Sequence, residues 1–225
     1  MGLFSWISKS SSKVKTLPDS IWLTGDAKLS GIAADTMSAM ETGGLVVVIA
    51  HFTETLSRIG EVLNDSALTH EIVKGAIKST KLSDRKKGGK GPLILVTLAD
   101  SLTPEQGTSE SEQNPENVFF IVGERHPLRT KDDAINAFAE AVPARCSLRF
   151  HSSLQDPILK IFVGESIEKT LRGLGMSETD AITSKLVTSR LQGAQQRLAK
   201  AAISDRQAES PEMWIKENCP GISLP

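Results

Sequence analysis

Leu45-Val46-Val47-Val48-Ile49-Ala50 is an unbroken apolar run of β-branched and small residues, and Phe52, Leu56, Ile59 and Leu63 follow it on one helical face. A strand with one face in water alternates apolar and polar residues. This run does not alternate, so it predicts a strand buried on both faces, as in a parallel sheet covered by crossover helices. Working outward, similar short runs occur at Ile21 to Thr24, Leu93 to Leu98, Val118 to Val122 and Leu148 to His151. Leu29, Ile32, Ala33, Thr36 and Met40 fall on one face of a second crossover helix. The expected fold is α/β: an open, mainly parallel sheet with helices on both faces, followed by a helical extension.

Leu68, Ile72, Val73 and Ile77 predict a further short helix. Two polar stretches predict loops: residues 81–91, with Arg85, Lys86, Lys87 and Lys90 among three glycines, and residues 101–117, disordered at its tip. Beyond the last strand, Pro157 to Leu171 and Ser184 to Ile203 read as helices. The second presents Val187, Leu191, Ala194, Leu198 and Ala201 on one side. Ser210-Pro211-Glu212 is an N-cap followed by an N1 proline, opening a short helix with Trp214 and Ile215. The organisation expected is a flexible segment 1–18, an α/β domain 19–156 and a helical extension and tail 157–225.

With 225 residues, 39% hydrophobic and 24% charged, the chain is long enough for a sizeable core, and its formal net charge of -1 gives no whole-molecule steering toward nucleic acid. Cys146 and Cys219 lack any metal-ligand spacing and read as reduced thiols. No apolar run reaches the roughly 20 residues of a membrane span. Leu3, Phe4, Trp6 and Ile7 ahead of Lys9, Lys13 and Lys15 suit an interfacial contact, although a frayed terminus tucking one aromatic onto the domain is the commoner outcome. A cytoplasmic location, peripheral at the inner face of a membrane if that contact forms, is the expectation.

A phosphate-cradling loop needs glycines, a Lys and a Ser or Thr opening a helix. Lys87-Gly88-Gly89-Lys90-Gly91-Pro92 instead precedes a strand. No serine sits in a G-x-S-x-G elbow, and His51, His70, His126 and His151 show no ligand spacing. His51 and His151 each end an apolar run, where a hydrogen-bonded structural imidazole is the usual role. Gly123-Glu124-Arg125-His126 follows a buried strand at its carboxyl end, where open α/β sheets place their ligand crevice, and is the candidate site against the alternative of a solvated loop.

From Gly123 onward the chain resembles the second nucleotide-binding domain of SecA, the motor ATPase of bacterial preprotein export, running into the start of its helical scaffold. Glu124-Arg125-His126 is similar to the family's Glu-Arg-His, with Arg129 and Asp132 as further identities and ungapped spacing to Ser147-Leu148-Arg149-Phe150. Ser153-Leu154-Gln155-Asp156, Ile161-Phe162, Leu174-Gly175-Met176, Ile182, Ser184-Lys185, Val187-Thr188 and Ala194-Gln195 continue it toward the family's long scaffold helix, over roughly residues 118 to 200. The N-terminal half is similar in element order alone, with Leu45 to Leu63 resembling the first strand and helix of a helicase-type second domain, so the fold that the resemblance implies is RecA or helicase C-like.

The departures fall on the chemistry. Where the resemblance implies an arginine-glycine-arginine run serving the γ-phosphate of ATP, this chain reads Asn136-Ala137-Phe138-Ala139-Glu140-Ala141. Ala99-Asp100-Ser101-Leu102 stands where a glycine-rich, Arg-containing loop is implied. Without one arginine finger a phosphoryl transfer typically slows about 10³- to 10⁵-fold, and without a P-loop binding itself is lost. ATP hydrolysis by this chain alone is therefore not expected, and no cofactor is required, with room left for weak ATP or ADP binding.

The resemblance then implies a non-catalytic SecA-like module in protein export. Glu124, Arg125, His126, Arg129 and Asp132 are its vestigial nucleotide-facing or interface residues, and Asp156, Phe162, Met176, Lys185 and Gln195 its candidates for docking a SecA-type translocase or a P-loop protein. One alternative is half of a split ATPase, completed by a P-loop-bearing partner and using Glu124, Arg125 and Arg129. Another is a nucleic-acid-binding helicase remnant, resting on the 81–91 loop and on Lys185, Arg190, Arg197, Lys200 and Arg206. The last is disfavoured, because no exposed aromatics interleave the basic residues.

Overall fold

The structure is a computed structural model that describes residues 14–82, 93–105, 117–173, 177 and 179–224, with the backbone alone for 163–168 and 170–171. In chain order its elements are β1 (Val14–Thr16), β2 (Ser20–Trp22), α1 (Gly25–Glu41), β3 (Leu45–Ala50), α2 (Thr53–Asp65), β4 (Glu71–Val73), β5 (Ile77–Lys78), β6 (Leu93–Leu98), β7 (Leu102–Thr103), β8 (Asn117–Val122), α3 (Arg129–Ala141), β9 (Arg145–Ser153), α4 (Pro157–Gly173), α5 (Lys185–Ala201) and α6 (Pro211–Asn218). The main sheet runs β1-β9-β8-β3-β6-β4, with β2 also on β9, and all its pairings are parallel.

β3 lies between β6 and β8 and is buried throughout, as its unalternating sequence requires. Leu45, Val47 and Ile49 face a core closed by Ile135 and Phe138 of α3. Val46 and Val48 face the opposite core, built from Leu29 and Ile32 of α1 and Ile59 and Leu63 of α2. Helices thus cover both faces of an α/β parallel sheet, the expected fold class.

Several local expectations change. Residues 68–77 form no helix: Val73 and Ile77 do turn inward, but Glu71–Val73 adds a strand to β6, and Ile77–Lys78 pairs with Leu102–Thr103 in a separate two-stranded ladder. β-branched Ile72 and Val73 suit a strand, and Gly75 interrupts any helix between the two segments. The expected loop 101–117 accordingly begins in strand β7; its residues 106–116, and 83–92 of the basic loop, lie outside the described residues. The segment expected to be flexible, 1–18, contributes Val14–Thr16 as an edge strand on β9, while the aromatic cluster Leu3, Phe4, Trp6 and Ile7 also lies outside the described residues.

The C-terminal helices share a core with the sheet. Ile21, Leu23, Phe52 and Leu154 at the strand ends pack with Ile158, Leu159, Val187, Leu191, Leu198, Trp214 and Ile215. Ser184 caps α5 by accepting from Val187 N, and Ser210 caps α6 by accepting from Met213 N ahead of the N1 proline. α5 stops at Ala201, and the chain then turns back across the carboxyl ends of the strands, where Glu209 O accepts from Glu54 N at 3.0 Å and Gln207 Nε2 donates to Asp100 Oδ2 at 2.6 Å. Among the described residues no helix is long and apolar enough to cross a membrane.

Candidate functional site at the carboxyl ends of the strands

β3 delivers His51 and Phe52 to the carboxyl edge of the sheet, and β8 beside it delivers Gly123 to His126. Gly123 leaves room for α2: a Cβ there would lie 2.7 Å from Ile59 Cδ1 and 3.3 Å from Thr55 Cγ2, so these side chains would have to shift. Its absence lets α2 approach closely enough for Thr55 Oγ1 to donate to Glu124 Oε2. Glu124 Oε1 accepts from the backbone N–H groups of His51 at 2.8 Å and Phe52 at 3.3 Å. The start of α2 has no side-chain cap of its own; Glu124 takes up the His51 and Phe52 N–H groups and the Glu209 carbonyl that of Glu54, three donors that an anionic ligand could otherwise use. Burial pushes the Glu124 carboxyl up in pKa, against the opposing pull of Lys28, Thr55 and His51.

Asp132, 1% exposed and in the first turn of α3, is the hub of a second, connected set. Its Oδ1 faces the His126 N–H and His51 Nε2, each at 3.0 Å, and its Oδ2 faces Gln195 Nε2 at 2.8 Å and an Arg125 Nη1 at 3.3 Å. Both carboxylate oxygens therefore accept twice, which uses the full acceptor capacity of the group. Burial alone would raise the Asp132 pKa, but the hydrogen bond and charge of His51, then Arg125, hold it below the ordinary carboxylate value. Arg125 also grips Asp19 through Nη2 at 2.5 Å and Nε at 3.2 Å, and lies 3.5 Å over the Phe150 ring.

His126 accepts from Leu128 N at Nδ1 and is stacked on Phe52 and edge-on to Trp214, with ring centroids at 5.3 and 5.2 Å. Burial first, and the neighbouring His51 second, lower its pKa to about 3, so the ring is neutral at pH 7. Gln195, reaching over from α5, bonds His126 O as well as Asp132. Three of the residues expected to face a nucleotide or an interface, Glu124, His126 and Asp132, are thus buried, and Arg125 is enclosed between Asp19, Asp132 and Phe150. They join sheet, α3 and α5 into one polar knot. Only Arg129 points outward, 59% exposed and 3.7 Å from Asp133.

The expected docking residues divide. Gln195 is 2% exposed and belongs to the knot, so it offers no docking surface. Asp156 is likewise turned inward: it accepts from Lys28 Nζ at 2.8 Å and from the Ser153 backbone and hydroxyl ahead of α4. Phe162 is half-buried against the C-terminal core, Lys185 is exposed at the start of α5, and Met176 lies outside the described residues. Sequence reasoning missed Asp19, Lys28 and Thr55, which have no signature beyond being polar. His51 sits where a structural imidazole was expected. Among the described residues no group of His, Cys, Asp and Glu could hold a metal ion.

No protein-family model matches the chain. It is similar to the protein translocase subunit SecA of Pseudomonas putida (strain W619), 23% identical over 214 residues that cover 82% of this chain and 24% of that protein. The SecA of Bdellovibrio bacteriovorus is also 23% identical, over 219 residues covering 82% of this chain and 25% of that protein. The likeness read from residues 118–200 thus extends over most of the sequence, and the chain spans about a quarter of the length of these relatives. Among solved structures, T4 UvsW aligns at a TM-score of 0.42 and 12% identity, over 84% of this chain and 40% of that one.

Proposed function

We propose that this chain is a non-catalytic SecA-like domain that works as a binding or regulatory module in protein export. The observation that carries the reading is the internal use of the site's charges. Asp132 has its acceptor sites filled from within the fold, and the N–H groups of His51, Phe52 and Glu54 at the start of α2 are taken by Glu124 and Glu209 O. A triphosphate set against this edge would have to displace a buried, hydrogen-bonded network, which is costly. Asn136 to Ala141 supplies no arginine to repay that cost.

The likeness to SecA supplies the context: the partner would be a SecA-type translocase, met at the cytoplasmic face of the membrane. Calorimetry with ATP and ADP, turnover assays, and binding to purified SecA from the same cells test the proposal together. The expected result is association with SecA and no turnover by the chain alone. Turnover by the purified chain, abolished by a point change within it, would overturn the proposal. If the chain instead raises turnover by a P-loop-bearing partner and Arg129→Ala removes the gain, the split-ATPase reading replaces it.

A further inference from the structure

Trp22, at the end of β2, lies against the backbone of α1: a Cβ at Gly31 would come within 1.9 Å of Trp22 Cζ2. Its indole Nε1 donates to His151 Nδ1 at 3.2 Å, and the two rings are near-parallel, 8° apart, with centroids at 6.2 Å. His151 is fully buried on β9, and its Nε2 stands 3.2 Å from Asp35 Oδ2 of α1. The same carboxylate accepts from Arg149 Nη1 at 2.7 Å. Indole, imidazole and carboxylate thus tie β2, β9 and α1 together on the α1 side of the sheet.

An indole N–H is a donor only, so His151 Nδ1 must present a lone pair and the ring proton sits on Nε2, toward Asp35. A second proton would go to Nδ1 and set two donors face to face. Proton uptake and the Trp22 bond therefore exclude each other. The charged groups around the ring are Asp35 and Lys28 of α1 and Arg149 of β9. Burial lowers the His151 pKa most, Asp35 opposes it, and Arg149 and Lys28 lower it further, so the ring is neutral at pH 7.

β2 is three residues long and pairs with β9 on one side. On its other side it carries the Ile21–Ile182 bridge, with backbone hydrogen bonds of 3.0 and 2.9 Å. Ile182 stands two residues before Ser184, the cap of α5. Asp19, the residue before β2, is gripped by Arg125. β2 is thus pinned at its start by the polar knot and at its end by Trp22, and its outer edge holds the entry to the helical extension.

We propose that Trp22 and His151 form a proton-operated latch: neutral His151 holds the end of β2 against α1, and a proton taken from solvent at Nδ1 frees Trp22 and loosens β2 together with the Ile182 bridge that leads into α5. The latch couples acidity to the junction between the sheet and the helical extension. It needs no partner, so it stands apart from the export reading.

Indole and amide signals of the nitrogen-15-labelled full chain, followed from pH 7.5 to about 4.5, test the latch. The indole signal lost in Trp22→Phe assigns Trp22. The expected result is a shift of the Trp22 indole N–H with a single-proton titration. That titration should be absent in His151→Gln, whose amide oxygen can accept from Trp22 but takes up no proton. Over the same range the exchange protection of the Ile21 and Ile182 amides should fall about tenfold while that of Val47 in β3 holds. Trp22→Phe, which keeps a ring over Gly31 without a donor, should show the lowered Ile21 and Ile182 protection already at pH 7.5. A Trp22 signal that does not move, a titration that survives in His151→Gln, unchanged Ile21 and Ile182 protection, or Val47 protection lost in step with theirs each overturns the latch. Should His151→Gln not fold, Trp22→Phe decides: Ile21 and Ile182 protection that still falls with acid in that variant overturns the latch, and protection that no longer depends on pH supports it.

Discussion

Two stretches on either side of the first turn of α3 met opposite fates. Glu124 to Asp132 keeps the residues expected from the SecA likeness and puts all but Arg129 to use in holding the fold. Asn136 to Ala141 departs from the expected arginines, and Phe138 packs fully buried against Phe120, with ring centroids 6.0 Å apart. Apart from Arg129, the residues shared with that likeness are ones that the folded chain uses. A residue that serves a bound triphosphate alone has no comparable hold on the structure.

The largest effect is expected from forcing the second stretch back to the expected type. Phe138→Arg removes a buried aromatic, typically costing about 3–5 kcal/mol, and leaves a charge in an apolar layer without a partner. Against a typical total stability of about 5–15 kcal/mol, the variant should not fold at 25 °C, read by circular dichroism and denaturant titration. Asp132→Ala attacks the first stretch: it leaves Arg125, Gln195, the His126 N–H and His51 without their shared acceptor and should cost about 3–5 kcal/mol in urea unfolding. A loss below 1 kcal/mol would mean that water replaces the carboxylate and that the knot is no structural hub.

This comparison shows why the sequence was legible in part. The run at β3 and the caps at Ser184 and Ser210 act through neighbours in the chain, so period and residue type suffice to read them. Residues 68–77 misled because Leu68, Ile72, Val73 and Ile77 fit a helical spacing, while the ladder with β6 that makes Glu71–Val73 a strand is a contact distant in sequence. Glu124 to Asp132 could be located from its place after a buried strand, but not its inward orientation. That orientation depends on Asp19, on Gln195 and on a returning tail, each far away along the chain.

Smaller and pH-dependent is the contribution of His126. Its folded pKa of about 3 lies below the ordinary value of 6.5, so the unfolded chain binds the extra proton. The stability it contributes is complete above about pH 6.5 and is lost as pH falls toward 3, at about 1.4 kcal/mol per pH unit. Burial lowers the His151 pKa as well, adding a slope of the same sign. His126→Asn keeps an acceptor near Leu128 N and removes one titration, so the mean slope of unfolding free energy between pH 6.5 and 5 should fall by about 1 kcal/mol per unit. An unchanged slope would mean that the ring is protonated in the folded protein.

The smallest effect belongs to Arg129, the member of the first stretch that the fold does not use. Its side chain and that of Asp133 are each 59% exposed and 3.7 Å apart, an i,i+4 pair on a helix surface. Such pairs contribute at most a few tenths of a kcal/mol, so Arg129→Ala should move stability by less than about 0.5 kcal/mol. If the fold alone accounts for the persistence of Glu124, Arg125, His126 and Asp132, the same variant should also leave partner binding unchanged. A loss of binding at unchanged stability would show that one residue of this stretch is kept for contact with another molecule, and would place that contact at the start of α3.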